Sequence, residues 1–440
     1  MNTRDNGRAE RLAWFREARF GVFVHFGCYA VLGRGEQILN RDMMPLAEYE
    51  RVADEFCPEK DWAQKLARRA VDAGARYIVL TTRHHDGYCL FHTKTHDFNA
   101  AKTGPGRDLI REYVDAARDA GLKVGFYYSI LNWRRRAFWD PTTYASELPA
   151  IVDEIHTQVR ELMTNYGRID VLWYDVSAVP GRGTPGAFGW KGTQLEHTPA
   201  AFYRSAELNA AVRELQPHIL INNRSGLPED FGTPEQRINP EEDPDRAWET
   251  CMTLNYAPNW GNLNQSMADK SVGEVLYNMV SAVRLGGNFL FNLGPNARGY
   301  VDDREGAVLD EIGRWMKKHG EAIYGTKPAR IYAAANQGPC FHYGMFTCRE
   351  ATAYLTLFYY PGESVIISRV GPQIVSAELL TTGEKLAVEP MPNARFRISG
   401  LPQKSPDPLA SVVKIEFAAP PYALVYDDAK WLDGEYVPAG

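Results

Sequence analysis

Residues 168–175 read Arg-Ile-Asp-Val-Leu-Trp-Tyr-Asp. Val171 to Tyr174 is a short apolar and aromatic run, the composition of a strand buried on both faces. It ends on the carboxylate of Asp175, and the Gly- and Pro-rich stretch Val176 to Gly186 behind it reads as a loop. A carboxylate at the exit of a buried strand is costly unless its charge is used. The alternative is an Asp that caps the loop after it. The rest of the chain decides between the two.

Working outward, the same alternation of buried strand and amphipathic helix recurs. Phe20 to Phe26 reads as a strand with His25 near its end. Leu46 to Phe56 and Asp61 to Ala73 read as helices, the second stopped by Gly74. Tyr77 to Thr81 is a strand followed by Arg83-His84-His85-Asp86-Gly87, Asp108 to Ala120 a helix, and Lys123 to Tyr128 a strand. The helix Pro149 to Tyr166 precedes Val171 to Tyr174. Then come the helix Pro199 to Leu215 and the strand Ile219 to Asn222, which leads into Asn223-Arg224. Trp248 to Leu254 and Asn288 to Leu293 read as strands, Ser271 to Arg284 and Asp303 to Gly320 as helices. About seven strand-helix units suit a (β/α)₈-like (TIM) barrel over residues 1–326, with one unit degraded or missed.

From Pro328 the texture changes. Phe341–Tyr343, Ala353–Tyr359, Ser364–Ile367, Ile374–Leu380, Arg395–Ile398, Val412–Phe417 and Ala423–Tyr426 are short strand-like runs separated by Gly, Pro, Asn and Asp. That pattern predicts a C-terminal all-β sandwich over residues 327–440. Its aromatics, Tyr359 and Trp431 among them, would suit a carbohydrate-binding module, but a structural sandwich is the simpler expectation.

Composition bounds the function. The 440 residues are 45% hydrophobic and 24% charged, so a full core is available. A formal charge of −6 argues against a nucleic-acid partner, which calls for a basic surface. Six cysteines without CxxC spacing read as single thiols, not as a disulfide framework or a zinc site. No apolar run reaches the roughly 18 residues of a membrane span, and residues 1–11 are polar, so the expectation is a cytoplasmic chain with no membrane partner. A homo-oligomer is compatible with the sequence.

His25, His84, His85, Tyr128, Asp175, Asn223 and Arg224 all fall at or just after strand ends. In a barrel of this kind those ends share one face, and that face carries the site. Three histidines and a carboxylate first suggest a metal. However, no His-x-His or His-Glu-x-x-His is present, and His84 and His85, if extended, would project in opposite directions. No metal and no cofactor are expected. The same groups fit a pocket that bonds several hydroxyls against an apolar wall, which describes a sugar site. Cleaving a glycoside needs two carboxylates. Asp175 is the first. Glu235, in the loop Asp230-Phe-Gly-Thr-Pro-Glu235, is a candidate for the second, with Glu36, Glu241, Glu242 and Glu249 as competitors.

Seven stretches, Gly21-Val-Phe-Val-His-Phe-Gly27, Thr81-Thr-Arg-His-His-Asp-Gly87, Gly125-Phe-Tyr-Tyr-Ser129, Leu172-Trp-Tyr-Asp175, Asn222-Asn-Arg224, Thr233-Pro-Glu235 and Gly286-Gly-Asn-Phe-Leu-Phe-Asn-Leu-Gly-Pro295, resemble in order and spacing the retaining α-L-fucosidases, glycoside hydrolases of barrel-plus-sandwich build. The resemblance implies an exo-glycosidase that removes terminal α-L-fucosyl residues from glycosides or oligosaccharides by double displacement. In it Asp175 would be the nucleophile and Glu235 the general acid/base. His25, His84 and His85 would bind sugar hydroxyls, with Tyr128, Trp173 and Glu36 beside them. Arg224 would lie next to the carboxylates, and Phe23 would help to receive the C6 methyl.

The chain departs from the family where Gln37 follows Glu36 in place of a common Trp, where Phe26 replaces a Trp after His25, and where Val176 follows the nucleophile. Gln37 opens a second possibility, the same chemistry on an α-L-galactoside. Two readings from other classes are a metal-dependent hydrolase built on His25, His84, His85 and Asp175, and a carbohydrate-binding protein without catalysis.

Overall fold

The strands that precede the polar strand ends associate side by side in one parallel sheet. A computed structural model describes residues 7–175, 198–241, 243, 245–266, 268–329, 331, 343–392, 394–425 and 437–438. Its eight barrel strands are β1 (Phe20–Val24), β2 (Tyr77–Arg83), β3 (Lys123–Ser129), β4 (Val171–Asp175), β5 (Leu220–Ile221), β6 (Phe231–Gly232), β7 (Ala247–Met252) and β8 (Asn288–Leu293). They are ordered β5-β4-β3-β2-β1-β8-β7-β6. The free ends meet through one parallel bridge, Asn222 to Phe231, so the ring is nearly closed. The strands are buried almost throughout, which explains why they read as continuous apolar runs without alternation.

The unit that the sequence leaves degraded is β6. Phe231 and Gly232 lie inside a stretch rich in Gly and Pro, and a two-residue strand carries no periodic signal. What β5 and β6 lack in ladder bonds, Asp230 supplies. Its N–H donates to the carbonyl of Ile221 at 2.9 Å, and its Oδ2 accepts the N–H of Ile221 at 2.9 Å. The same carboxylate accepts from Arg213 at 2.8 Å and from Arg11 at 3.2 Å, and is only 1% exposed.

The expected helix Pro199 to Leu215 is two helices, Pro199–Phe202 and Ser205–Leu215, broken at Arg204, whose φ of 51° is left-handed. Among the described residues no helix is long and apolar enough to cross a membrane. Five cysteines are unpaired thiols, of which Cys57 is exposed and the others buried; Cys340 lies outside the described residues.

By contacts the chain forms two compact units. The first comprises Met1–Phe15, Phe20–Lys270 and Leu290–Leu309, the second Arg16–Arg19, Ser271–Phe289 and Asp310–Gly440. The second unit holds an eight-stranded antiparallel sheet, whose strands run in space 364–368, 395–399, 384–391, 374–379, 411–417, 352–357, 344–349 and 327–328, and a separate three-stranded sheet. Leu355, Leu357, Val365, Ile367, Val413 and Ile415 form part of its core. The helix Val272–Arg284 belongs to this unit, with Tyr277 edge-on to Phe358 at 5.1 Å. The strand Glu384–Met391 escapes the sequence pattern because Leu386 is its one fully buried residue. Of the expected strand Phe341–Tyr343, residues 341 and 342 lie outside the described residues, as do Tyr426 and Trp431.

Asp230→Ala would leave the buried Ile221 N–H without its acceptor and Arg213 with Glu229 as its remaining carboxylate partner. Removing one partner of a buried ion pair costs about 3–5 kcal/mol, and urea unfolding of the full chain should show a loss of that order. A change below about 1 kcal/mol would show that the β5–β6 seam does not depend on this carboxylate.

Candidate active site

The polar groups converge at the carboxyl ends of the barrel strands. Asp175 ends β4, in register with Ser129 at the end of β3. Its Oδ1 accepts from Arg224 at 2.6 Å and its Oδ2 from the hydroxyl of Tyr127 at 2.7 Å, with His85 Nε2 3.5 Å from Oδ2. Burial alone would raise its pKa. Arg224, His85 and Tyr127 together overcome that and hold it below the ordinary carboxylate range, so it is ionised at neutral pH.

Arg224 sits in the one-turn segment Asn223–Ser225 after β5. Its Nε donates to Thr233 Oγ1 at 3.0 Å, and one terminal nitrogen donates to the Thr233 carbonyl at 3.2 Å and to Glu235 Oε2 at 2.9 Å. The guanidinium carbon lies 4.6 Å from the centroid of the Trp173 ring. Burial opposes the charge of Arg224, while Asp175 foremost among its neighbours raises the pKa above the usual value. One guanidinium therefore clasps both candidate carboxylates. Asn223 stays behind this arrangement, accepting from the Thr233 hydroxyl at 2.9 Å.

Glu235 is not on a free loop. It forms a parallel bridge with Cys251 of β7, with Cys251 N–H donating to Pro234 at 3.2 Å and Gln236 N–H to Cys251 at 2.9 Å. Its side chain is 41% exposed, which leaves it open to a group arriving from solvent.

The three histidines all line the cavity. His25, just past β1, lies with Nδ1 2.7 Å from Asn292 Oδ1, while the Asn292 amide donates to the Trp260 carbonyl at 2.7 Å. That fixes the proton on Nδ1 and leaves Nε2 an acceptor. Burial pushes the His25 pKa down to about 3, so the ring is neutral at neutral pH. Burial likewise holds His84 well below its ordinary value and His85 down at about 4. His84 stacks on Tyr127 at 5.6 Å, and its buried Nδ1 has no hydrogen-bond partner among the described residues. The expectation that His84 and His85 diverge fails because β2 ends at Arg83. Beyond it the backbone is not extended, and the two rings lie 4.1 Å apart on the same cavity.

Tyr128 is corrected. It faces away from the cavity, with its hydroxyl donating to Gln158 at 2.8 Å and accepting from Arg83 at 2.7 Å. Residues alternate along a strand, so Tyr127 shares the face of Ser129 and takes the place expected of Tyr128. Parity counted back from Asp175 through the register could have found it. Glu36 does not line the cavity surface. Its Oε2 accepts the N–H groups of Trp260 and Gly261, each at 2.8 Å, and its Oε1 is buried without a partner among the described residues. Burial is the main influence on Glu36 and raises its pKa. A Cβ on Gly261 would stand 2.8 Å from the Tyr29 ring, so this turn needs glycine.

Phe23, Trp173 and Trp260 form an apolar corner, with ring centroids 5.0 Å apart for Phe23–Trp173 and 5.9 Å for Phe23–Trp260. Trp173 donates its indole N–H to Glu249 at 3.1 Å, and Tyr77 donates to the other oxygen of that carboxylate. Glu249, with its pKa pushed up to about 7 by burial, is thus a buried support of Trp173 and does not line the cavity. Glu241 pairs with Arg246 at 3.3 Å, and Glu242 lies outside the described residues, as does Val176. The cavity encloses about 470 Å³ with its opening, within the usual range for a small-ligand site. Tyr127, Gln37, Cys251 and Trp260 line it in addition to the expected residues; Trp260 comes from an irregular segment with no periodic signal. Among the described residues no group of three or more His, Cys, Asp or Glu is arranged to hold a metal ion.

The family model for α-L-fucosidase matches residues 2–321. The tissue α-L-fucosidase of Mus musculus is 28% identical over 400 residues, 84% of this chain and 82% of that one. Among solved structures, α-L-fucosidase isoenzyme 1 from Paenibacillus thiaminolyticus superposes with a TM-score of 0.80 at 33% identity, covering 93% of this chain and 99% of the other. An α-L-fucosidase from Bacteroides thetaiotaomicron, trapped as a covalent intermediate with 2-fluoro-fucosyl fluoride, superposes with a TM-score of 0.79 at 26% identity, covering 92% and 96%.

Arg224→Met should lower kcat/KM at least about tenfold, because a charge-assisted hydrogen bond contributes about 1.5–3 kcal/mol. It should also move the acid limb of the pH profile upward. A nucleophilic Asp175 would react only when ionised, and losing the cation that depresses its pKa means it protonates at higher pH. An unmoved acid limb would separate Arg224 from the ionisation of Asp175.

Proposed function

We infer that this chain, which belongs to the α-L-fucosidase family of glycoside hydrolases, is a retaining exo-enzyme that releases terminal α-L-fucosyl residues from glycosides or oligosaccharides. The observation that carries this is the clasp of Asp175 and Glu235 by one guanidinium. Asp175, ionised and bonded by Tyr127, attacks the anomeric carbon. Glu235 gives its proton to the leaving oxygen, and an ester between the sugar and Asp175 forms. Glu235 then takes a proton from water, which attacks the same carbon and returns Asp175 as a carboxylate. In the first step negative charge leaves Asp175 and appears on Glu235. Arg224 is bonded to both, so the cation stays paired with the charge wherever it resides.

The lining of the pocket supports this choice of sugar. His25 Nε2 accepts from a hydroxyl, and His84 Nδ1 is a buried polar atom on the cavity that a hydroxyl would complete. The corner of Phe23, Trp173 and Trp260 suits the C6 methyl group of fucose. Gln37 lines the cavity and keeps α-L-galactoside as a second reading. A C6 hydroxyl turned into the aromatic corner would be buried without a partner, and this favours fucose.

The assignment of Glu235 is tested by leaving group. General acid catalysis contributes about 10²–10⁴-fold, so Glu235→Ala should lose about that much on a fucosylated oligosaccharide. It should lose far less on a nitrophenyl fucoside, whose leaving group needs little protonation. Equal losses on both substrates would move the acid role elsewhere.

A further inference from the structure

Ser129 closes β3, with its Oγ 2.6 Å from Nδ1 of His85, and accepts the N–H of Leu131 at 3.1 Å. A serine has one proton to donate. Among the described residues the other acceptor within reach is the Leu131 carbonyl at 3.2 Å, and that oxygen already receives Arg83 at 2.8 Å. The shorter contact and the otherwise unserved acceptor both direct the proton to His85 Nδ1. The far side of the ring agrees. Nε2 lies 3.5 Å from Asp175 Oδ2, where a lone pair would face a carboxylate but an N–H would meet it. The ring is packed against His84 at 4.1 Å and Trp133 at 5.0 Å, and Trp133 N–H donates to the His85 carbonyl at 2.8 Å.

We propose that Ser129 is a positioning residue that holds His85 as its neutral Nε2–H tautomer, so that His85 offers a hydrogen-bond donor, and not a base, to the Asp175 side of the cavity. The proposal rests on Asp175 being the nucleophile. A donor aimed at Oδ2 stabilises the carboxylate that attacks and that leaves again when the ester is hydrolysed. A basic nitrogen in the same position would repel that carboxylate. Ser129 is in turn fixed by the Leu131 turn, which Arg83 secures while also bonding Glu154 at 3.2 Å and Gln158 at 2.8 Å. The outward network that contains Tyr128 thus reaches the cavity through Ser129.

The charged and titratable groups facing His85 are Asp175 from β4, Arg83 from β2, Arg224 from the turn after β5, and its neighbour His84. A hydroxyl donating to Nδ1 favours the neutral ring, so its removal lets His85 take a proton at higher pH.

The test is nitrogen NMR of the full chain labelled with ¹⁵N-histidine, with the His85 signals assigned by their loss in His85→Gln. The wild type should show Nδ1 unprotonated and Nε2 protonated at neutral pH. Ser129→Ala should show mixed tautomers, a kcat/KM about tenfold lower, equivalent to one net hydrogen bond, and an acid limb moved to higher pH. Ser129→Thr, which keeps the hydroxyl, should restore the tautomer and bring kcat/KM back to within about twofold. A proton on Nδ1 in the wild type would overturn the proposal, as would a single Nε2–H tautomer in Ser129→Ala. If the alanine variant does not fold, the wild-type spectrum decides. The tautomer is read without substrate, so this test fails separately from the assignment of Asp175.

Discussion

The site depends on one cation with two carboxylates. Arg224 bonds Asp175 on one side and Glu235 on the other, and Thr233 takes two further contacts from the same guanidinium. Three successive strands thereby become one device: β4 brings Asp175, the turn after β5 brings Arg224, and the segment after β6 brings Glu235. The two shortest strands of the barrel are those nearest the clasp, and Asp230 ties them together from the opposite side of the seam. A short strand followed at once by a turn lets a side chain reach across the rim, where a longer strand would have carried it past.

Around the clasp the polar groups are buried and mostly neutral. His25, His84 and His85 are all kept uncharged by desolvation, so among the described residues the cavity holds one strong cation and its carboxylates among dipoles. Neutral imidazoles have defined donor and acceptor ends, and their partners decide which end faces in: Asn292 for His25, Ser129 for His85. A hydroxyl bound by these rings would be met directionally, which is how a site tells a sugar of one configuration from another.

Much of this is legible in the sequence, for identifiable reasons. Asp175 stands out because a carboxylate behind Val171–Tyr174 contradicts the apolar run before it. Strand ends are visible wherever a strand is long enough to have a pattern. What is not legible depends on parity or on distance along the chain. Choosing Tyr128 over Tyr127 is an error of one residue, which on a strand means the wrong face. β6 is hidden because two residues have no period, and Glu235 reads as a free loop because its bridge to Cys251 is formed with β7. Trp260, held by Glu36 from more than two hundred residues away, gives no local signal at all. Glu249 looks like a competing acid until its carboxylate is seen beneath Trp173.

Asp175 is proposed as the nucleophile of a covalent step, and the most direct test traps that step. Incubation with 2-fluoro-fucosyl fluoride, whose C2 fluorine slows both formation and hydrolysis of the ester while its good leaving group restores the rate of formation alone, should add one fluorofucosyl mass to the intact chain. Peptide mapping should place that mass on Asp175, and Asp175→Gly should take up none. A label on another carboxylate, or turnover of the reagent with no adduct at any time, would contradict the account.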